Sequence, residues 1–320
     1  MGSIVLLAKQ SGKTSFSTLW QVKNALGTKK VGHTGTLDNF ADGLLVLLSG
    51  PLTRLGTYIT NCDKVYHARI VFGEQTDTLD PSGKVVKTCP LPCYKNLKSI
   101  LSSFSGQIDQ IPPDYSAIHV NGKRASDRIR SGESVVLKSR NVTIYDLRVK
   151  AVIHEDNELL QDESLVSALD IRVHCSKGTY IRSLARDIGA AAGSCAHTMF
   201  LRRTAVGPFS LENAAGFLQL PLFGTYNTNE ACESVPPEEI KAACKVFTWE
   251  TAKAVDLHPI EIREEELASF RNGKKMTTSW FTTNLQSGTH HAVFSQNVFC
   301  GIVHEDGGVL VYDFVYRDKT

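Results

Sequence analysis

Most apolar residues of this chain follow the patterns of β-strands. Six segments carry a continuous apolar run or an apolar–polar alternation: residues 3–8, 44–48, 65–72, 171–175, 298–303 and 309–315. Alternation with a period of two predicts a strand with one buried face, whereas the uninterrupted run at 44–48 predicts a strand buried on both faces. The sequence Glu-Asp-Gly-Gly at 305–308 predicts the turn that joins the last two strands.

Three other segments have the spacing of amphipathic helices. The first begins at Ser15, a good capping residue, and ends at Gly27. Its predicted apolar face consists of Phe16, Leu19, Trp20, Val22 and Leu26. We expect a second helix near residues 95–104 and a third over about 180–192, where one face is again apolar.

The length and composition predict more than one domain. A chain of 320 residues can form one large domain with a small one, or two medium domains. Residues 221–246 mix Asn, Thr, Glu and Pro, which is the composition of a linker. The short strands of residues 247–320 predict a small β-barrel-like domain after it.

Basic residues are concentrated in the N-terminal half. Residues 1–150 carry 20 Lys and Arg against 11 Asp and Glu, whereas residues 221–320 carry 9 against 14. Lys and Arg cluster over about 118–135, around an Asn121-Gly122 pair that favours the tip of a β-hairpin. A surface that binds a polyanion would have this distribution, although surface charge also varies between segments without a function.

Several functions are disfavoured by simple features. No apolar run reaches the roughly 18 residues of a membrane-spanning helix, and the N-terminus lacks the basic segment and long apolar core of a secretory signal. Eight cysteines without paired spacing indicate reduced thiols and a cytoplasmic protein. Cys89 and Cys93 have no second pair or His cluster nearby, so we expect no metal there. Gly12-Lys13-Thr14 lacks the earlier glycine of a phosphate-binding P-loop, which argues against an ATPase or kinase.

Residues 31–45 form the most unusual stretch of the chain. Two glycines flank His33 and Thr34, so the backbone there can approach a ligand closely. Asp38 follows in a loop directly before the buried strand, a position where side chains of a sheet converge on ligands. Taken alone, Asp38 is better explained as a residue that caps the turn, as most loop aspartates do.

A resemblance to a known family reverses that preference. Residues 32–38, Gly-His-Thr-Gly-Thr-Leu-Asp, resemble the signature of the TruB family of pseudouridine synthases, whose aspartate is the essential catalytic residue. Five later segments are similar to further motifs of the family: residues 64–68, 73–80, 112–118, 177–184 and 201–204. Six blocks in the family's order are not expected by chance. Beyond about residue 220 the resemblance to the family's PUA-like domain is only loose.

The resemblance implies a fold and a reaction. The fold would be α+β, with a mixed, mostly antiparallel sheet flanked by helices over residues 1–220 and a small PUA-like β domain over 247–320. The reaction would be isomerisation of uridine to pseudouridine in the T loop of tRNA, usually at position 55. We expect a monomer that binds the T arm of tRNA and uses no metal or other cofactor.

The chemistry of this reaction explains the residues at the centre of the site. The target base leaves the RNA stack, its N-glycosidic bond breaks, and the rotated uracil rejoins the ribose through carbon. The resemblance implies that Asp38 acts as a nucleophile or as an electrostatic partner of the ribose, and the sequence leaves both roles open. It also implies that Arg182 keeps this carboxylate ionised and aimed.

Other residues are implied to contact the flipped base or the RNA. His33 and Tyr66 would fill the vacated space and pack against the flipped ring, and Leu201 would form the floor of the uracil pocket. Tyr180 is the candidate to help remove the C5 proton, although a phenol with an ordinary pKa near 10 is a poor base unless its environment changes it. Further RNA contacts are expected from Lys123, Arg124, Tyr115 and Arg202.

Each assignment has a plainer alternative. Tyr66 and Tyr180 could be half-buried structural aromatics, Leu201 a core residue, and Arg182 a surface residue paired with Asp187. Four positions also depart from the usual family pattern: Asn39 for proline, Asp42 for a small or hydroxyl residue, His119 for lysine and Ser126 for tyrosine. The last two lie in the basic hairpin, so they bear on RNA affinity more than on the chemistry.

Two competing functions stay open at this point. An RNA-guided relative of the family acts only within a ribonucleoprotein and normally carries terminal extensions, whereas the first predicted strand here begins at Ile4. A tRNA-folding chaperone would keep the binding cleft without turnover. The retained Asp38, Tyr66, Tyr180 and Arg182 argue against the chaperone, and RNA binding without product would support it.

Overall fold

The computed structural model describes residues 2–120, 122–154, 159–225 and 234–317. Within these ranges the chain forms one large sheet with helices and a separate small sheet near the C-terminus, so the predicted α+β fold is confirmed. None of the helices in these ranges has the length and apolar character needed to cross a membrane.

Strands and helices are interspersed along the described part of the chain. The strands are β1 (Ile4–Lys9), β2 (Val31–His33), β3 (Asp42–Ser49), β4 (Lys64–Phe72), β5 (Glu74–Thr76), β6 (Val85–Thr88), β7 (Gly106–Gln110), β8 (His119–Val120), β9 (Lys123–Arg124), β10 (Arg140–His154), β11 (Val166–Cys175), β12 (Ala196–Val206), β13 (Phe209–Ser210), β14 (Cys244–Lys245), β15 (His258–Glu261), β16 (His290–Ser295), β17 (Val298–Asp306) and β18 (Val309–Val315). The α-helices are α1 (Ser15–Leu26), α2 (Gly56–Asn61), α3 (Tyr94–Ile100), α4 (Ala125–Arg130), α5 (Ile181–Ala191), α6 (Pro237–Ala242), α7 (Trp249–Ala254) and α8 (Leu267–Arg271). Short 3-10 helices span Gly50–Leu55, Leu101–Phe104, Leu211–Asn213, Phe217–Gln219, Glu264–Glu266 and Thr278–Trp280.

The large sheet has the order β14-β1-β3-β12-β4-β11-β10-β7, with β2 paired to β3 and β13 paired to β12. All of these pairings are antiparallel except that between β3 and β12. The four strands predicted at 3–8, 44–48, 65–72 and 171–175 all lie in this sheet, and β3 is buried along its whole length as expected.

The parallel junction between β3 and β12 depends on Gly43. This residue lies opposite Arg203 with a φ of +106°, which L side chains rarely adopt. A Cβ at this position would overlap the Arg203 backbone. The absence of a side chain therefore lets β12 approach the start of β3, directly after the loop that carries Asp38.

Helix α1 corrects one detail of the prediction. Its bounds and its end at Gly27, which has a φ of +60°, are as predicted, but its N-cap is Thr14 rather than Ser15. Phe16 and Trp20, placed on the apolar face from the sequence, are 75% and 64% exposed. The helix instead packs through a narrower stripe against the large sheet and α6: Thr18, Leu19, Val22 and Ala25.

The basic hairpin has the predicted form. Strands β8 and β9 pair antiparallel, with His119 opposite Arg124 and Val120 opposite Lys123. Asn121, at the predicted tip, lies outside the described residues, and Gly122 has the positive φ of a tight turn, +82°. The hairpin leads directly into α4. The sequence did not predict this helix as an element separate from the hairpin.

The C-terminal part contains the predicted small sheet, of order β15-β16-β17-β18. The segment predicted as a linker has regular structure in its described part, because α6 packs on α1 and β14 pairs with β1 at Ile4 and Val5. Residues 226–233 of that segment lie outside the described ranges. The small sheet shares a hydrophobic core with the large one, where Phe294 and Ile302 join Leu6. The domain bounds 1–220, 221–246 and 247–320 stay predictions.

Candidate active site

One cleft of about 560 Å³ brings together five of the residues singled out from the sequence. They come from four separate parts of the chain: the loop before β3, strand β4, the start of α5 and strand β12. These lining residues are Asp38, Tyr66, Tyr180, Arg182 and Leu201. The sheet order β3-β12-β4, with α5 packed on β12, explains why they meet.

The carboxylate of Asp38 is held by the guanidinium of Arg182. Nε of Arg182 lies 2.8 Å from Oδ2 of Asp38, and Nη2 donates a 3.1 Å hydrogen bond to Oδ1. The Asp38 side chain is 36% exposed to the cleft, whereas that of Arg182 is 4% exposed. The predicted contact is therefore present, and the alternative pairing of Arg182 with Asp187 is wrong, since Asp187 pairs with Arg186.

Three further groups fix the Arg182 guanidinium. Its Nη1 donates to the carbonyl oxygen of Thr78 at 2.8 Å and lies 3.5 Å from Oδ2 of Asp80. Its Nη2 donates to the carbonyl oxygen of Tyr115 at 3.1 Å. Because the guanidinium is planar and its donors are used on several sides, it has little freedom to turn away from Asp38. The contact of Asp80 with Arg182 was not predicted from the sequence. Tyr115 was predicted to contact RNA, and the contact of its carbonyl with Arg182 was not predicted.

The loop that carries Asp38 is hydrogen-bonded to the turn before α1 and to the first residue of α1. The hydroxyl of Ser15 donates to the Leu37 carbonyl at 3.1 Å and accepts from the Leu37 N–H at 2.9 Å. The N–H of Gly12 donates to the carbonyl of Asn39 at 2.8 Å. Gly12 has a φ of +80°, which allows the tight turn that supports this loop. The contact through Asn39 uses its backbone, so it does not depend on the family's usual proline at that position.

Arg203 anchors the same loop from β12. Its side chain is buried, and it donates to three backbone carbonyls: those of Leu44 at 2.8 Å, Gly35 at 3.1 Å and Thr36 at 3.4 Å. It also lines the cleft beside Tyr66. Arg203 lies within the motif at residues 201–204, but the sequence gives no indication of its role. Its partners are backbone atoms, and these leave no signal in the sequence.

Burial and nearby arginines act in opposite directions on the pKa values of the two tyrosines that line the cleft. Burial raises the pKa of Tyr66, against the opposing effect of Arg203. Burial also raises the pKa of Tyr180, against Arg140 and Arg182. Both phenols therefore keep their protons at neutral pH. The raised pKa gives no support to Tyr180 as the group that removes the C5 proton, and that role stays a prediction.

Two basic groups near the cleft have lowered pKa values. Burial, with a smaller effect of Arg203, lowers the pKa of His33 below its ordinary value. Burial likewise lowers the pKa of Lys64 to about 8. Lys64 lines the cleft, and its Nζ donates to the carbonyls of Thr60 and Cys62. His33 is half-buried at the end of β2 and does not line the cleft. It directly precedes the loop that carries Asp38.

The predicted RNA contact of Arg202 is not supported by its position. Strand alternation turns it away from the face that bears Leu201 and Arg203. Its guanidinium forms two hydrogen bonds with Asp42, of 2.8 and 2.6 Å. Asp42 is fully buried, so this pair explains the family departure at that position. Lys123 and Arg124 are exposed on β9, away from the cleft lining.

Comparison with known protein families identifies the family of this chain. The TruB family pseudouridylate synthase (N terminal domain) matches residues 23–181, and the tRNA pseudouridylate synthase B C-terminal domain matches residues 182–230. The chain belongs to the TruB family of pseudouridylate synthases. The resemblance inferred from the six motifs is thereby confirmed, and the chain is a pseudouridine synthase.

Individual relatives cover most of the enzyme. A tRNA pseudouridine synthase B of Treponema denticola is 46% identical in an alignment of 303 positions that covers 87% of this chain and 85% of the relative. One of Treponema pallidum is 39% identical over 98% of this chain and 97% of the relative. A solved H/ACA RNP bound to a substrate RNA containing 2'-deoxyuridine has a TM-score of 0.65 at 19% identity, covering 99% of this chain and 85% of that chain. That similarity supports the fold alone.

Proposed function

We propose that the enzyme isomerises a uridine in the T loop of tRNA, at position 55, with Asp38 as its essential residue. The observation that carries this proposal is the Asp38 carboxylate, partly exposed in the cleft and held by the buried Arg182. The relatives that cover most of the chain are named tRNA pseudouridine synthase B, which supports tRNA as the substrate. A tRNA substrate also agrees with the cytoplasmic location expected from the reduced cysteines.

The reaction would begin with a flipped uridine in the cleft. Leaving the stack costs a few kcal/mol, which contacts with the extruded base offset. Tyr66 and Leu201 would pack against the uracil, and His33, nearly neutral because of its lowered pKa, would occupy the space in the RNA. A cleft of about 560 Å³ has room for one nucleotide, but not for a duplex.

Asp38 would then act on the ribose. As a nucleophile it would form a bond to the sugar while the C1′–N1 bond breaks; as an electrostatic partner it would stabilise the positive charge that develops on the sugar. After rotation, C5 bonds to C1′ and any bond between Asp38 and C1′ breaks. C5 then loses its proton and N1 gains one, so that no atoms are gained or lost overall. Arg182 would hold the carboxylate in position in either case, and Tyr180 stays the candidate that helps to remove the C5 proton.

RNA outside the cleft would be bound mainly by charge. The hairpin β8–β9 presents exposed Lys123 and Arg124 beside the segment that contains Tyr115. Phosphate contacts of this kind supply most of the affinity of proteins for nucleic acid. We do not extend this role to Arg202, because its guanidinium is engaged by Asp42.

The test is to incubate the protein alone with an unmodified tRNA transcript in EDTA and to map pseudouridine by mass spectrometry. We expect one pseudouridine, at position 55, and none in a matched transcript that carries cytidine there. Product at another position would contradict the T-loop assignment. Product that appears only with an added guide RNA would favour the RNA-guided mode, and tight binding without product would favour the chaperone.

A further inference from the structure

A second group of reactive side chains lies on the small sheet. His290 on β16, His304 on β17 and Asp313 on β18 occupy three neighbouring strands. His290 and His304 are directly paired across β16 and β17. No other set of three such side chains within the described ranges brings its potential ligand atoms this close.

A β-bulge aims Asp313 at the two imidazoles. Ile302 pairs with Phe314 and Val303 pairs with Tyr312, so Asp313 is the extra residue of β18 between them. Bulges turn a side chain out of the regular alternation and recur next to functional sites. Here the bulge places the carboxylate on the same face of the sheet as the two histidines.

The distances are close to those of a metal site. Nδ1 of His290 lies 2.9 Å and Nδ1 of His304 lies 3.0 Å from the same atom, Oδ2 of Asp313. The three ligand atoms all lie within 4.8 Å of one another. Around a tetrahedral zinc ion, with bonds of about 2.0–2.2 Å, ligand atoms are about 3.3 Å apart. The two N–O separations would have to widen by only a few tenths of an ångström to admit an ion.

The chemistry of the donor set also suits a cation. Two imidazoles that bond one carboxylate oxygen through Nδ1 must both carry a hydrogen there, and a divalent ion can take the place of both hydrogens. Two His and one carboxylate form a known zinc donor set that leaves a fourth position open. His290 and Asp313 also line a cavity of about 950 Å³ between the small sheet and α2, which provides space for that fourth ligand.

We propose that His290, His304 and Asp313 bind a divalent transition-metal ion of the zinc type, with a water molecule as the fourth ligand. The ion would join three adjacent strands and so stabilise the face of the small sheet that packs against the catalytic part. None of these three side chains lines the cleft of Asp38. The metal site is therefore independent of the metal-free isomerisation proposed above. Either proposal can be disproved while the other holds.

The experiment is a zinc titration of the full chain. The protein is stripped with EDTA, transferred to chelator-free buffer and titrated with ZnCl2 against a chromogenic chelator. We expect one tightly bound ion per chain, and a higher melting temperature with zinc than without it. His304→Gln and Asp313→Asn should each weaken binding at least about 10-fold and remove the zinc-dependent rise in melting temperature.

Two controls make the result decisive. His258→Gln, an exposed histidine on β15 of the same sheet, should leave the affinity unchanged. Pseudouridine formation in EDTA should persist in His304→Gln and Asp313→Asn, which shows that these variants are folded. Binding of far less than one equivalent, or an affinity equal in wild type and both site variants, would mean that the three side chains form only a hydrogen-bonded cluster.

Discussion

Asp42 and Arg202 illustrate what single residues contribute in this enzyme. Asp42 is fully buried, and its two oxygens each accept a hydrogen bond from the Arg202 guanidinium. From the sequence, Asp42 was only a departure from the family pattern and Arg202 a candidate RNA contact. The two residues are 160 positions apart, so their pairing follows from the parallel register of β3 and β12.

Removal of Arg202 should destabilise the fold strongly. Arg202→Ala leaves the Asp42 carboxylate buried without its partner, and we expect a loss of about 3–5 kcal/mol in the free energy of unfolding. Arg148→Ala is the matched control, because it removes an arginine that is 67% exposed and bonded to Asp146; it should cost less than about 1 kcal/mol. Urea unfolding monitored by circular dichroism measures both, and equal losses would show that the buried pair has no special weight.

The site residues differ in how far they can be predicted. Asp38 and Arg182 follow from motifs, because their chemistry requires a carboxylate and a cation at defined positions. Asp80 and Arg203 do not, since their contacts depend on distant segments and on backbone carbonyls. The raised pKa of Tyr180 is likewise a property of its buried surroundings, and the residue type gives no indication of it.

At the scale of elements, local periodicity predicts the strands well and the exposed faces less well. Alternation and apolar runs located β1, β3, β4 and β11, because each has at least one face in a core. The face of α1 was predicted too wide, since apolar spacing cannot tell which of two adjacent stripes contacts the sheet. The helix and strand inside the predicted linker were missed because both are very short and form through pairing with β1 and α1.

The basic hairpin is the element with a direct test. Lys123→Ala combined with Arg124→Ala should weaken tRNA binding and reduce the slope of log affinity against log salt concentration by roughly one unit per lost phosphate contact. Lys95→Ala with Lys98→Ala on α3 removes the same charge from another exposed surface and should change the slope less. Filter binding over a salt series measures both pairs. An unchanged slope in the hairpin variant would mean that these two side chains do not touch phosphate.

On the scale of the whole molecule, the enzyme separates binding from chemistry. Positive charge is spread over residues 1–150, whereas the reacting carboxylate is a single group in one cleft. The small sheet is joined to the large one through a common hydrophobic core, which includes Leu6, Phe294 and Ile302. The resemblance implied a large sheet and a separate small β domain, but the hydrophobic core that they share was visible only in three dimensions.

This separation makes Asp38→Asn the most direct test of the account. Asn keeps the size of Asp and some of its hydrogen bonding, but it loses the negative charge and the nucleophilicity. Because RNA affinity arises from many phosphate and stacking contacts, the loss of one acidic charge should leave tRNA binding nearly unchanged. Asp306→Asn, an exposed aspartate at the end of β17, serves as the control and should retain full activity.

The measurement is the amount of pseudouridine at position 55 after each variant is incubated with unmodified tRNA transcript in EDTA, determined by mass spectrometry. The account predicts full conversion by wild type and Asp306→Asn and no detectable product from Asp38→Asn, at equal occupancy of the RNA. Substantial product from Asp38→Asn would contradict the assignment of Asp38 as the essential residue, and a wild type that is inactive until metal is added would contradict metal-free isomerisation.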